Sequence, residues 1–169
     1  MTEHADILVI GAGPVGLAAA LFLDERGHRA RIIEKRDARS PYSKAFGVNA
    51  RTLELLAKSG VTERFVANGR KLQRLTLRRD GRALATLRLE EVKHRYPFML
   101  VQSQADSERM LEEALAERGI RVERGVEAMG FRRENGRARV EIVAGSERRE
   151  MTRVWGGIPS RCRQRPCSC

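Results

Sequence analysis

Residues 5–36 read ADILVIGAGPVGLAAALFLDERGHRARIIEKR, and no other stretch of the chain restricts the fold so tightly. Ile7 to Ile10 form a short apolar run of the kind that a buried parallel strand needs. Gly11, Gly13 and Gly16 follow at G-x-G-x-x-G spacing. Pro14 falls where a helix begins, a position at which its missing N–H costs nothing. Leu17 to Leu23 read as a buried helix that stops at Gly27. The segment ARIIE is a second strand ending on Glu34. Strand, tight turn, helix and strand in thirty residues make a βαβ unit, and such a unit commits the chain to an α/β fold on a parallel sheet.

Each glycine has its own steric task. Gly11 permits the sharp exit from the strand, Gly13 lets backbone approach a pyrophosphate, and Gly16 lets the helix lie close to the strand. The helix N-terminus offers unpaired N–H groups and a partial positive charge to phosphates. Glu34, eighteen residues beyond Gly16, stands where a carboxylate accepts hydrogen bonds from a ribose diol. Its charge disfavours a 2′-phosphate, which points to FAD or NAD over NADP. The same glycines could serve a turn and a packing contact alone. The agreement of strand, glycines, helix, second strand and terminal acid is what points to a dinucleotide, with Gly11, Gly13, Pro14, Val15, Gly16 and Glu34 as the candidate contacts.

Beyond Glu34 the segment KRDARSPYSKAFG reads as a basic, turn-rich loop. Asn49 caps a helix over ARTLELLAKSG that presents Leu53, Leu56 and Ala57 on one face. A short helical turn, TERFVANG, comes next. RLTLRRDGRALATLRL reads as two strands joined at Asp80-Gly81. PFMLV is another strand. SQADSERMLEEALAERG is an amphipathic helix with Met110, Leu111, Ala114 and Leu115 inward, ended by Gly119. IRVERG gives a third parallel strand, and residues 127–154 give three short strands, the first turn at Asn135-Gly136.

Composition narrows the partners. A chain of 169 residues fits one domain, and 41% hydrophobic residues with only 5% aromatics predict an aliphatic core. The net charge of +11 invites a nucleic-acid reading. However, residues 151–169 contribute four arginines and no acid, and elsewhere the signs alternate, as in LEEALAERGIRVERGVE. There is no basic block interleaved with aromatics and no zinc-finger spacing, so no nucleic-acid partner is expected. No apolar run reaches membrane-spanning length, and MTEHADILVIG has no signal-peptide pattern, so a cytoplasmic protein without a membrane partner is expected.

Three stretches in order carry a resemblance: DILVIGAGPVGLAAALFLDERGHRARIIEKR, SKAFGVNARTLELLAKSGV and FMLVQSQADSERMLEEALAERGI. Together they resemble the FAD-dependent aromatic hydroxylases, the single-component flavoprotein monooxygenases of the para-hydroxybenzoate hydroxylase type. The likeness covers residues 5 to about 150. It implies a Rossmann-like, glutathione-reductase-type FAD-binding core with an inserted β-hairpin and a β-meander. It also implies FAD as cofactor, with Lys35 beside the adenosine. Lys44 stands where the family usually has an arginine that contacts the cofactor; lysine keeps the charge and lacks the bidentate fork. Gln104, four residues before Glu108, stands where the family has a glutamine near the ribityl chain, though on its own it is also an ordinary polar helix-entry residue. In the family, NAD(P)H reduces the flavin and oxygen then hydroxylates a small, activated aromatic ring. The resemblance assigns no catalytic residue and no metal site to this stretch, because the substrate pocket comes largely from later sequence. Two alternatives stay open: a nucleotide-binding module completed by a partner chain, and a fragment of a related flavin reductase or epoxidase.

The resemblance also gives the tail a meaning. Family members return to the sheet with G-A-D-G-x-x-S-x-x-R. Here Gly157, Ser160 and Arg163 keep that spacing, while VWGG lacks the Ala-Asp. The expected division is residues 1–150 as a partial FAD-binding domain, incomplete at its C-terminus, and residues 151–169 as a degenerate or frameshifted tail. Cys162, Cys167 and Cys169 then have no assigned role. As zinc ligands they lack a fourth member and a C-x-x-C pair, and as disulfides they are odd in number; a basic arm for nucleic acid is a third reading, and out-of-frame translation, rich in Arg, Pro, Gly, Ser and Cys, is the one favoured.

Overall fold

The computed structural model describes residues 7–39, 45–134 and 137–154. β1 (Ile7–Ile10) leads through the glycine turn into α1 (Pro14–Asp24) and back through β2 (Ala30–Glu34). β1 and β2 are parallel, with Ile7 opposite Ala30 and Ile10 opposite Ile33. β3 (Ala45–Val48), α2 (Ala50–Leu56), α3 (Val61–Asn68) and β4 (Arg70–Leu72) follow, then a hairpin of β5 (Arg74–Arg79) and β6 (Arg82–Arg88). β7 (Met99–Ser103), α4 (Gln104–Ala116) and β8 (Val122–Arg124) complete the helical layer. β9 (Val126–Glu134), β10 (Arg137–Ala144) and β11 (Glu147–Val154) form an antiparallel meander.

β2 sits between β1 and β8, both parallel to it. Its successive side chains point to opposite faces. Ile32 joins the larger core, with Leu17, Ala20 and Leu21 of α1 and Met110, Leu111, Ala114 and Leu115 of α4. Ile33, the next residue, joins Val126, Val140, Ile142 and Met151 of the meander. The sheet is thus covered by helices on one face and by the meander on the other, which is why ARIIE carries two adjacent isoleucines rather than an alternating pattern. Arg31, the polar side chain ahead of the two isoleucines, pairs with both carboxylate oxygens of Glu123 on β8 and donates to the Met151 sulfur at 3.1 Å.

The local signals act as their chemistry dictates. Asn49 Oδ1 accepts from Thr52 N at 2.8 Å at the start of α2. Ser103 Oγ accepts from Asp106 N at 3.0 Å and donates to Asp106 Oδ2 at 2.6 Å, a reciprocal cap for α4. Asp80 and Gly81 take φ of 50° and 79°, the left-handed pair that a two-residue hairpin turn needs.

Two features differ from the sequence reading. Part of the basic loop is a strand: β3 pairs with β7 from Ala45–Ser103 to Val48–Leu100. β4, three residues long, pairs with the other edge of β7. Neither has a pattern of its own, because each is held by pairing with a strand far along the chain. The meander strands are also long, at nine, eight and eight residues. Their many arginines and glutamates obscure the alternation in the sequence, yet they form cross-strand ion pairs such as Arg132–Glu150 and Arg148–Glu141. Asn135-Gly136, Lys44, the tail motif and the three cysteines lie outside the described residues.

Gly16 fixes how closely α1 lies on β1. A Cβ there would sit 2.0 Å from the Gly11 carbonyl oxygen, whereas a Cβ on Gly13 would meet nothing within 4 Å. Gly16→Ala should therefore lower the urea unfolding free energy by about 2 kcal/mol or more. Gly13→Ala, whose φ of −76° suits alanine, should change it by less than about 0.5 kcal/mol. Equal losses for the two variants would contradict the packing role of Gly16.

Candidate functional site

The β1–α1 turn is built to leave donors exposed. Gly11 takes φ of +98°, open to glycine and strained for other residues. Its N–H donates to Ile33 O at 2.8 Å, which pins the turn to the end of β2. Gly13 is the N-cap of α1 and Pro14 its first residue. No side chain caps this terminus and its first turn holds no acid. The first-turn N–H groups and the positive end of the helix dipole are therefore left for an anion. Val15, in that turn, is 84% exposed.

The ends of β1 and β2 open into a cleft of about 560 Å³. Ile10, Gly11, Ile33 and Glu34 form its floor, and Lys35 and Arg36 continue one wall. Val126, Glu127 and Ala128, at the start of β9, form the other. Lys35 Nζ and Glu127 Oε1 lie 3.9 Å apart across the rim, an exposed pair that contributes little to stability.

Glu34 is the buried charge of this cleft, 6% exposed. Its Oε2 accepts from Ala12 N at 2.9 Å, and its Oε1 accepts from the backbone N and the Nε of Arg36, each at 3.1 Å. Burial pushes the Glu34 pKa up, but the Ala12 amide and the Arg36 guanidinium and amide outweigh it and hold the carboxyl below its usual range. Glu34 is therefore an anion at neutral pH. A carboxylate oxygen accepts more than one hydrogen bond, so Oε2 retains capacity for a hydroxyl donor.

Gln104 is on a different element, at the first position of α4. Its Nε2 donates to Glu108 Oε1 at 2.8 Å. The charge of Glu108 in turn acts on Arg36, so the α4 terminus is linked electrostatically to the Glu34 wall. One turn on, Glu112 receives Arg124 at 2.9 Å and lies 3.3 Å from Arg39. The structure thus places Gly11, Glu34 and Lys35 in one cleft. Gly13, Pro14, Val15 and Gly16 follow in the N-cap and first turn of α1, beyond the Ala12 amide that bonds Glu34, and Gln104 stands apart on α4, bonded to Glu108. The sequence reading missed the Ala12 amide and the β9 wall. Both depend on contacts between distant segments, and no local pattern marks them.

A parallel βαβ core, an uncapped helix N-terminus behind a glycine turn, and a buried carboxylate at the end of β2 define a dinucleotide-binding α/β domain. The residues fit FAD: Gly13 leaves open space for close backbone approach, and Glu34 offers an ionised acceptor beside it. The family model for the FAD binding domain matches residues 4–154, and the chain belongs to that family. It is 33% identical over 160 residues to 6-methylpretetramide 4-monooxygenase of Streptomyces rimosus, covering 92% of this chain and 29% of that protein. Among solved structures, the OxyS anhydrotetracycline hydroxylase from Streptomyces rimosus superposes with a TM-score of 0.78 at 28% identity, covering 89% of this chain and 30% of that one. A ternary complex of aklavinone-11 hydroxylase with FAD and aklavinone gives 0.74 at 25% identity, covering 90% and 32%. The chain spans about three-tenths of the length of these relatives. No helix among the described residues is long and apolar enough to cross a membrane.

The lowered pKa of Glu34 has a consequence for stability. A carboxylate with a depressed folded pKa stabilises the fold above its unfolded pKa and loses that contribution as pH falls through the folded value. Glu34→Gln should cost about 1–3 kcal/mol in urea unfolding at neutral pH. The gap from the parent chain should close on acidification below the ordinary carboxylate range. A gap that is constant with pH would show that the ionised carboxylate is not what the Ala12 and Arg36 bonds require.

Proposed function

We propose that this chain is the FAD-holding part of an NAD(P)H- and FAD-dependent monooxygenase that hydroxylates an aromatic compound. The observation that carries the reading is the uncapped α1 terminus preceded by the Ala12 amide that bonds buried Glu34, in a chain that matches the FAD binding domain family. The N–H groups of Val15 and Gly16 would hold the pyrophosphate, with Gly11, Gly13 and Pro14 shaping the turn around it. Glu34 would accept from the adenosine ribose through Oε2. Lys35 would line the adenosine side of the cleft, and Lys44 and Gln104 would meet the cofactor nearer its flavin end. When bound, FAD would supply the redox chemistry that links a nicotinamide reductant to oxygen insertion.

The aromatic substrate class follows from the relatives. Aklavinone occupies one solved relative, and others are named for anhydrotetracycline and 6-methylpretetramide.

Titrating the purified 169-residue chain with FAD, followed by flavin fluorescence quenching, tests the reading. FAD should bind, and FMN, which lacks the adenosine half, should bind at least about tenfold more weakly, given the discrimination that a site built on hydrogen-bond partners provides. Gly13→Ala should weaken FAD by about tenfold while leaving unfolding unchanged, since its methyl enters the space that the backbone leaves open. No FAD binding, or equal binding of FMN, would overturn the assignment of the cleft.

A further inference from the structure

Glu108 is the most deeply buried carboxylate among the described residues, at 3% exposure, and the contacts proposed above do not use it. Removing a carboxylate from water is costly unless charge and hydrogen bonds offset the loss. The Gln104 amide does so by a hydrogen bond at 2.8 Å, and the charges of Glu108 and Arg36 also interact. An apolar residue at this buried position of α4 would fill the same space at less cost. The charge therefore calls for a reason other than packing.

The reason lies in what a carboxylate does to an amide. Turning a side-chain amide by 180° exchanges its oxygen and nitrogen at little steric cost. A carboxylate only accepts hydrogen bonds, so against Glu108 the two orientations are no longer equivalent. Nε2 facing Glu108 makes a charge-assisted bond, while Oε1 facing it sets two acceptors together. Glu108 thus locks Gln104 with its nitrogen inward and its carbonyl oxygen on the opposite side of the amide. The polar path is continuous in kind: Ala12 N to Glu34, Glu34 to Arg36, the field of Arg36 to Glu108, and Glu108 to Gln104. It runs from the phosphate turn to the first residue of α4.

We infer that Glu108 is a positioning residue for FAD, orienting the Gln104 amide so that its carbonyl oxygen accepts from a hydroxyl of the cofactor's polyol chain. This rests on the FAD reading above and adds a polarity to it. Hydroxyls along the polyol are the donors, and the protein supplies the acceptor.

The test compares FAD with ADP, which carries the adenosine and pyrophosphate without the polyol. In the full 169-residue chain, Glu108→Gln frees the amide to turn. It should weaken FAD about five- to tenfold, the effect of one charge-assisted hydrogen bond, and leave ADP affinity within about twofold. In a Gln104→Ala background the same substitution should have no further effect on FAD, since its action runs through Gln104. Equal weakening of FAD and ADP, or an undiminished loss in the Gln104→Ala background, would show a general effect on the fold and overturn the inference. If Glu108→Gln does not fold, as read by circular dichroism, Glu108→Asp keeps the charge, withdraws it from Gln104 and should give the same split between FAD and ADP. A parent chain that binds FAD with either variant unaffected defeats this inference alone. A parent chain that binds no FAD defeats the cofactor reading and this inference with it.

Discussion

β2 is buried on both faces and ends on a charged residue. The larger core needs Ile32 and the smaller one Ile33, so the strand cannot slip by one residue without exchanging its two faces. That fixed register carries Glu34 to the mouth of the sheet, where its carboxylate meets the Ala12 amide twenty-two residues earlier in the chain. The glycine turn is then held at both ends: Gly11 N–H bonds Ile33 O, and Ala12 N–H bonds Glu34. The close seat of α1 against β1 at Gly16 fixes the helix N-terminus beside the end of β1. The free α1 amides and the Glu34 carboxylate are thus placed by one strand and one turn rather than by a flexible loop.

The βαβ unit was legible in the sequence because its signals are local and agree. The apolar run, the three glycines, Pro14 and ARIIE each fix their own few residues, and the observed bounds of β1, α1 and β2 follow them. Asp80-Gly81 was legible for the same reason, since a turn type demands its residues directly. β3 and β4 were not legible. Gly47 in β3 is suited to close approach, as a Cβ there would come within 2.8 Å of the Met99 sulfur, but that contact exists only once β7 is alongside. The far wall of the cleft follows the same logic. Val126 reads as one more apolar residue until the meander folds across the sheet and sets it near Ile33.

Gln104 shows the limit of a motif. The sequence places a glutamine and a glutamate four apart on a helix, a spacing that allows contact on many helix surfaces. What the sequence does not show is that Glu108 is buried while Glu112, another turn on, receives Arg124 and lies near Arg39. α4 therefore carries a file of polar groups against the segment that leaves β2, and it also carries Met110, Leu111, Ala114 and Leu115 into the core. The helix is amphipathic, but its polar stripe is an internal contact as much as a solvated one.

Glu34 and Glu108 together cost the fold more than apolar residues of the same size would, because each is taken out of water. The two costs are offset differently. Glu34 is surrounded by three donors from its own neighbourhood, and its lowered pKa shows that those bonds more than offset its burial. Glu108 has its amide donor on the same helix and a guanidinium that is already bonded to Glu34. Arg36 thus serves two carboxylates while bonding one of them. Its position makes the β2 end and the α4 terminus respond together: a change that draws Arg36 toward Glu34 withdraws positive charge from Glu108, and the reverse holds as well.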